Sequence, residues 1–205
     1  MAPPIAVALA LILIFAGLGY KIASVPFHMW SPDVYEGSPL PVTAFLSVAS
    51  KAAGFGLVVR FFRDGMASPA VLATVDWPLF LALISAVTMT VGNLAAFGQT
   101  NIKRLLAYSS IAHGGYLLMG VVAMGGGAMA AQSGVLFYFV AYLFMNLGAF
   151  YVVLHLASPE RLGSDEISAY RGLIRRSPLL AILMSIFLFS LIGLPPFAGF
   201  WGKLY

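Results

Sequence analysis

The chain has 205 residues, of which 61% are hydrophobic and only 9% charged, whereas an ordinary globular domain is about a quarter charged. A mean hydropathy of +0.96 excludes a water-soluble surface and makes the bilayer the natural solvent, so the fold expected is an all-α polytopic bundle. The formal charge of +4 is thinly spread, so no nucleic-acid partner is expected, and the absence of cysteine excludes a cysteine-ligated iron–sulfur cluster on this chain.

Six apolar spans are expected in chain order, at about residues 3–30, 40–60, 77–98, 104–124, 132–156 and 178–205. The start shows no basic segment or cleavage pattern and is not read as a signal peptide. The first span carries Lys21, with Pro26 and Pro32 interrupting the part beyond it, and the second carries Lys51. Residues 105–159 hold no Asp, Glu, Lys or Arg, more than twice the roughly 20 residues one crossing needs. That run must be two helices, with a break expected at Gly125-Gly126-Gly127. Residues 157–177 form the longest polar connection, and Asp165, Ile167, Tyr170, Leu173 and Ile174 have the spacing of an amphipathic surface helix. The sixth span contains Gly193, Pro195, Pro196 and Lys203. Each proline removes a helical hydrogen bond, and freed carbonyls at membrane depth are tolerated only against protein or a water-filled cavity. The first and sixth spans are therefore expected to be broken, with their lysines facing the protein interior. Ending at Tyr205 just after a lysine, the chain reads as part of a longer protein.

Lysines inside such spans are costly and usually mark an ion or proton route. No Asp or Glu shares a span with Lys21, Lys51 or Lys203, so acidic partners must come from elsewhere. Lys21 and Lys203 either snorkel to an interface or transfer protons, and the adjacent helix breaks favour transfer; Lys51 lies too deep to snorkel easily. His113 sits mid-span near Ser109, Ser110 and Tyr116, and fits equally a packing histidine and a relay member. Lys103 and Arg104 are read as topology anchors. Asp33 and Glu36, near His28, are read as solvated or capping residues rather than a proton entry. Asn93, Ser109 and Asn146 are expected to bond between helices.

Loops after the first, third and fifth spans carry Lys103, Arg104, Arg161, Arg171, Arg175 and Arg176, against Arg60 and Arg63 in the others, which places the first set in the cytoplasm. The two broken spans then run antiparallel, as an inverted repeat would make them. Gly202-Lys203 lacks the remainder of a phosphate loop, and His28, His113 and His155 have no ligand-spaced partners, so neither a cofactor nor a metal is expected.

The segment KIASVPFHMWSPDVYEGSPLPVTAFLSVASK (21–51) resembles the signature of the antiporter-like subunits of proton-pumping NADH-quinone oxidoreductase, respiratory complex I. NLAAFGQTNIKRLLAYSSIAHGGYLLMG (93–120) and LIGLPPFAGFWGKLY (191–205) resemble that family's later motifs in order. A lysine at position 51 and the SSIAHGGY wording resemble the N-type branch; L- and M-type subunits usually have histidine at the matching place. Versions in photosynthetic complexes are close, and those in Mrp sodium/proton antiporters and membrane-bound hydrogenases more distant.

The resemblance implies inverted five-helix units, with residues 1–63 ending the first and 77–205 beginning the second. It implies that Lys21 is the lysine of the first broken helix, paired with a glutamate on an earlier helix absent here, that Lys51 is the connecting lysine and that Lys203 belongs to the second broken helix. The expected function is proton translocation through buried lysines and water in the bacterial inner membrane. Other membrane subunits are the partners, and quinone and NADH are engaged only through them. A sodium/proton antiporter subunit and a purely structural membrane subunit are the alternatives.

Overall fold

The computed structural model describes residues 4–66, 75–125, 129–158 and 163–204. Among them five helices are long and apolar enough to cross a membrane, and a shorter apolar helix, Pro178–Ile192, follows. The first helix, α1 (Pro4–Ile22), ends well before residue 30. Ala23 takes a left-handed φ of 56° and the Val25–Pro26 bond is cis. The Val25 amide, left without a helical acceptor, donates to Thr88 Oγ1 at 3.1 Å. The first span is therefore broken at 23–29, as expected from Pro26. Pro32 plays a different part: it lies in the first turn of α2 (Trp30–Gly37), where a missing N–H costs nothing, so it starts a helix rather than interrupting one.

Helix α3 (Leu40–Gly65) runs past the expected end at 60. It contains two π-helical stretches, Leu46–Ser50 and Phe61–Gly65, and Lys51 follows directly on the first. Such wide turns commonly occur at functional positions. Asp76 caps α4 (Trp77–Phe97) by accepting from the Leu79 amide at 3.0 Å. Asn101 does the same for α5 (Ile102–Gly125), its Oδ1 accepting from the amides of Lys103 at 2.8 Å and Arg104 at 3.3 Å. Helix α6 (Met129–Leu156) follows, so the long uncharged run is two helices; Gly126 and Gly127 of the expected break lie outside the described residues, as do Arg161 and Tyr205.

Helix α5 is the most enclosed span and touches α2, α3, α4 and α6. Its approach to α4 is close because glycines face backbone. At Gly92 of α4 a Cβ would stand 2.6 Å from the Ala112 amide nitrogen, and at Gly115 of α5 it would stand 2.8 Å from that of Met89. Ser85 Oγ closes the same contact by donating to the Gly115 carbonyl at 2.8 Å. Large apolar side chains on α1 and α4, such as Leu9, Leu13, Leu83 and Leu94, remain exposed, as on a surface that meets lipid or further helices.

The connection between α6 and the next span is not the single surface helix expected. A 3₁₀ turn at Ile167–Tyr170 and the one-turn helix α7 (Leu173–Arg176) are separated by Gly172, whose φ of 71° interrupts the helix. Backbone bonds from Ile102 to Asp165 (2.8 Å) and from Ile167 to Thr100 (2.7 Å) tie this segment to the start of α5. Helix α8 (Pro178–Ile192) stops at Gly193, φ 91°. After Pro195 and Pro196 the chain resumes as α9 (Ala198–Leu204), so the sixth span is broken where the glycine and prolines required.

Charged loops gather at the two ends of the bundle. Arg104 Nη1 lies 2.6 Å from Asp33 and 2.8 Å from Glu36, and Lys103 Nζ lies 2.8 Å from Asp165. Segments following the first, third and fifth spans thus meet at one end. At the other, Arg63 donates to Gln132 Oε1 at 2.6 Å and Trp77 Nε1 to the Met66 carbonyl at 3.2 Å. Asp33 and Glu36 are exposed, as the solvated reading expects, but neither caps a helix, and both pair with Arg104.

Candidate functional site

Lys51 is 3% exposed. Its ammonium donates to the main-chain carbonyl of Ser110 on α5, and no carboxylate among the described residues pairs with it. The hydroxyl of the same serine is met by tyrosines from two further helices. Tyr142 of α6 donates to Ser110 Oγ at 2.8 Å, and Tyr35 of α2 lies 3.4 Å from the same oxygen. Tyr142 also reaches the Ser47 carbonyl at 3.3 Å, inside the π stretch of α3. Asn146 donates to Ser47 Oγ at 2.7 Å, which makes it the interhelical bond expected of it.

One turn beyond Ser110, His113 is 3% exposed and bonds through Nδ1 to the Tyr138 hydroxyl. The rings of Tyr142, Tyr116 and Tyr138 enclose it, with centroids 5.1, 5.8 and 5.8 Å away. Along α5, His113 falls between Ser110, whose carbonyl accepts from Lys51, and Tyr116, whose ring lies beneath Lys203.

Lys203 is half-buried and folds back over the break in its own span. Its Nζ donates to the Leu191 and Ile192 carbonyls, each at 3.1 Å. These are acceptors at the end of α8 that the helix itself leaves open. The same ammonium sits 4.4 Å above the centre of the Tyr116 ring, a cation–π contact. Asn93 of α4 fixes that ring by donating to its hydroxyl at 3.1 Å. A cavity of about 540 Å³ adjoins these groups, lined by Asn93, Gln99, Ser109, His113, Tyr116 and Lys203. Ser109 is thus a cavity residue, where sequence spacing had suggested an interhelical bond.

Of the four residues singled out from sequence, the structure brings together Lys51, His113 and Lys203. Lys21 stands apart. It occupies the last turn of α1 beside the break, with its stem across Gly54, but is exposed rather than turned inward. His28 and His155 join no cluster, and among the described residues no group of His, Asp and Glu is placed to hold a metal. Tyr35, Ser47, Tyr138 and Tyr142 were not foreseen. The signal for two of them was present: Tyr138, Tyr142 and Asn146 recur every four residues, marking one polar stripe on an otherwise apolar helix.

The family described as "NADH:quinone oxidoreductase/Mrp antiporter, TM" matches residues 2–205. The chain is 54% identical to the NADH-quinone oxidoreductase subunit N of Anaeromyxobacter sp. (strain Fw109-5), with 98% of this chain and 39% of that protein covered. To the subunit N of Heliobacterium modesticaldum it is 52% identical, covering 98% and 41%. It therefore spans about two fifths of the length of these relatives. Among solved structures, a chain of respiratory complex I from Thermus thermophilus superposes with a TM-score of 0.78 at 44% identity, covering 96% of this chain and 41% of that one. A chain of the Mrp complex from Dietzia sp. DQ12-45-1b gives 0.82 at 26% identity, covering 96% and 35%. The family match over residues 2–205, the identity to these relatives, the shared fold and the apolar spans agree: the chain is a multi-pass membrane protein of the bacterial inner membrane and belongs to the NADH:quinone oxidoreductase/Mrp antiporter transmembrane family.

Proposed function

We propose that this chain carries protons within the membrane part of an NADH-quinone oxidoreductase, along a buried polar path through Lys51, His113 and Lys203. Redox chemistry belongs to other subunits, and other membrane subunits are its partners. The observation that carries this reading is a lysine almost fully buried without a carboxylate. A buried ammonium held by a main-chain carbonyl, with no carboxylate beside it among the described residues, is expensive as a purely structural device. The hydroxyls of Tyr138 and Tyr142 and the imidazole of His113 supply groups that both donate and accept. Lys21 belongs to the neighbouring half of the path, with residues 1–63 closing one inverted unit and 77–205 opening the next. The Mrp likeness favours a sodium-coupled alternative, but identity of 54% to subunit N against 26% to the Mrp chain favours the proton reading.

The test is Lys51→Ala and Lys51→Arg in the full-length protein, with quinone-linked proton pumping in vesicles normalised to assembled complex on native gels. Both variants should assemble and pump poorly, because alanine removes the relay group and a guanidinium holds its proton near neutral pH. A packing role predicts the reverse order, with arginine active and alanine failing to assemble. Normal pumping by both variants would remove Lys51 from the mechanism.

A further inference from the structure

At the end of the bundle opposite the Arg104 cluster, α3 and α6 bound a surface groove of about 470 Å³. Its walls are apolar: Ala52, Phe55 and Val59 on one side, Val135, Phe139 and Val140 on the other. The Phe55 and Phe139 rings meet edge to face with centroids 6.4 Å apart. Gly56 leaves the groove open, since a Cβ there would meet nothing within 4 Å. Charge is confined to one end, where Arg60, Arg63 and Asp64 line it and all three are exposed. Gln132 accepts from Arg63 Nη1 and holds that guanidinium beside the groove.

The dimensions match one leaflet. From Ala52 to Arg63 the helix rises roughly 16 Å at about 1.5 Å per residue, against a hydrocarbon half-thickness of about 15 Å. Arg60, Arg63 and Asp64 together leave one net positive charge at that end of the groove. A phosphodiester carries one negative charge and an acyl chain is what an apolar groove of that length accepts. We propose that this groove is the seat of an anionic phospholipid, its phosphate on Arg60 and Arg63 and one acyl chain lying along Val59, Gly56 and Ala52.

The position gives the lipid a consequence inside the protein. Phe55 lines the groove and its ring tip also comes close to Lys51: a Cβ on Gly114 would stand 3.8 Å from Lys51 Nζ and 3.9 Å from the tip of the Phe55 ring. A seated acyl chain backs that ring and keeps water from reaching the ammonium through the membrane side. Binding itself does not depend on any role of Lys51 in transport.

The experiment uses the full-length protein in its assembled complex, in phosphatidylcholine vesicles doped with a trace of photoreactive lipid carrying a diazirine in mid-chain. One probe is phosphatidylglycerol and the other phosphatidylcholine. Peptide mapping should find the phosphatidylglycerol probe on residues 52–59 and 135–140 about fivefold above the phosphatidylcholine probe, the factor expected for one net cation at an anionic head group. The double variant R60Q/R63Q should abolish that preference. Gly56→Phe, which fills the groove and keeps both arginines, should lower labelling by both probes. Equal labelling by the two probes in the parent protein, labelling of neither, or a preference that survives R60Q/R63Q would overturn the proposal. Should the double variant fail to assemble, the parent probe ratio and Gly56→Phe decide it.

Discussion

Replacing Gly92 by alanine should force α4 and α5 apart. The new methyl carbon would stand 2.6 Å from the amide nitrogen of Ala112, 2.9 Å from its Cα and 3.0 Å from its Cβ, where ordinary contact begins at 3.4 Å. Two of these three atoms are main chain, so no side-chain rotation relieves the clash, and the helices must separate by roughly 1 Å. Overpacking of this kind costs about 1–3 kcal/mol, offset by up to about 1 kcal/mol of helix propensity, for a net loss on the order of 1–2 kcal/mol. Ser110 lies two residues before Ala112 and His113 directly after it, so the same displacement moves the carbonyl that accepts from Lys51. The assay is a thermal ramp of the full-length complex in lipid nanodiscs, scored by the fraction still assembled on native gels, alongside proton pumping. Gly17→Ala on α1 is the control, because a Cβ there meets nothing within 4 Å. Gly92→Ala should melt several degrees lower and pump less, with Gly17→Ala unchanged. Parental stability and pumping in Gly92→Ala would refute the account of α4 and α5 as a glycine-dependent contact.

Arg104→Gln removes both ion pairs to α2, yet the Asp33 side chain is 74% exposed and that of Glu36 43%, so global stability should fall by less than about 1 kcal/mol. Hydrogen exchange in 30–37 should nonetheless quicken, and unchanged exchange would show that the pairs do not hold α2. Tyr116→Phe keeps the ring beneath Lys203 and loses only the Asn93 bond, so pumping should be largely retained, whereas Tyr116→Leu should cut it severalfold; equal activity of the two would dismiss the ring contact. Single cysteines at Ser164 and Ser133 should label from opposite faces of the membrane, Ser164 from the cytoplasm, and labelling of both from one face would contradict the span order.

Much of the architecture was legible in the residues themselves. Apolar length against bilayer thickness placed the spans, and the uncharged run 105–159 had to be two helices because no single helix of that length fits a membrane. Gly193, Pro195 and Pro196 forced a break in the sixth span and Pro26 one in the first, because these residues act on their own backbone whatever surrounds them. Tertiary structure decided what depends on partners distant in sequence. Lys21 and Lys51 sit in equally apolar contexts, yet α5 and α6 close over Lys51, while among the described residues Lys21 is exposed, a difference nothing in either segment foretells. Asp33 and Glu36 look like loop acids until α5 brings Arg104 to them across about 70 residues. The same holds for the hydroxyls of Tyr35, Tyr142 and Tyr138 around Ser110 and His113, contributed by α2 and α6. A helix fixes which residues share a face, and only packing fixes what that face meets.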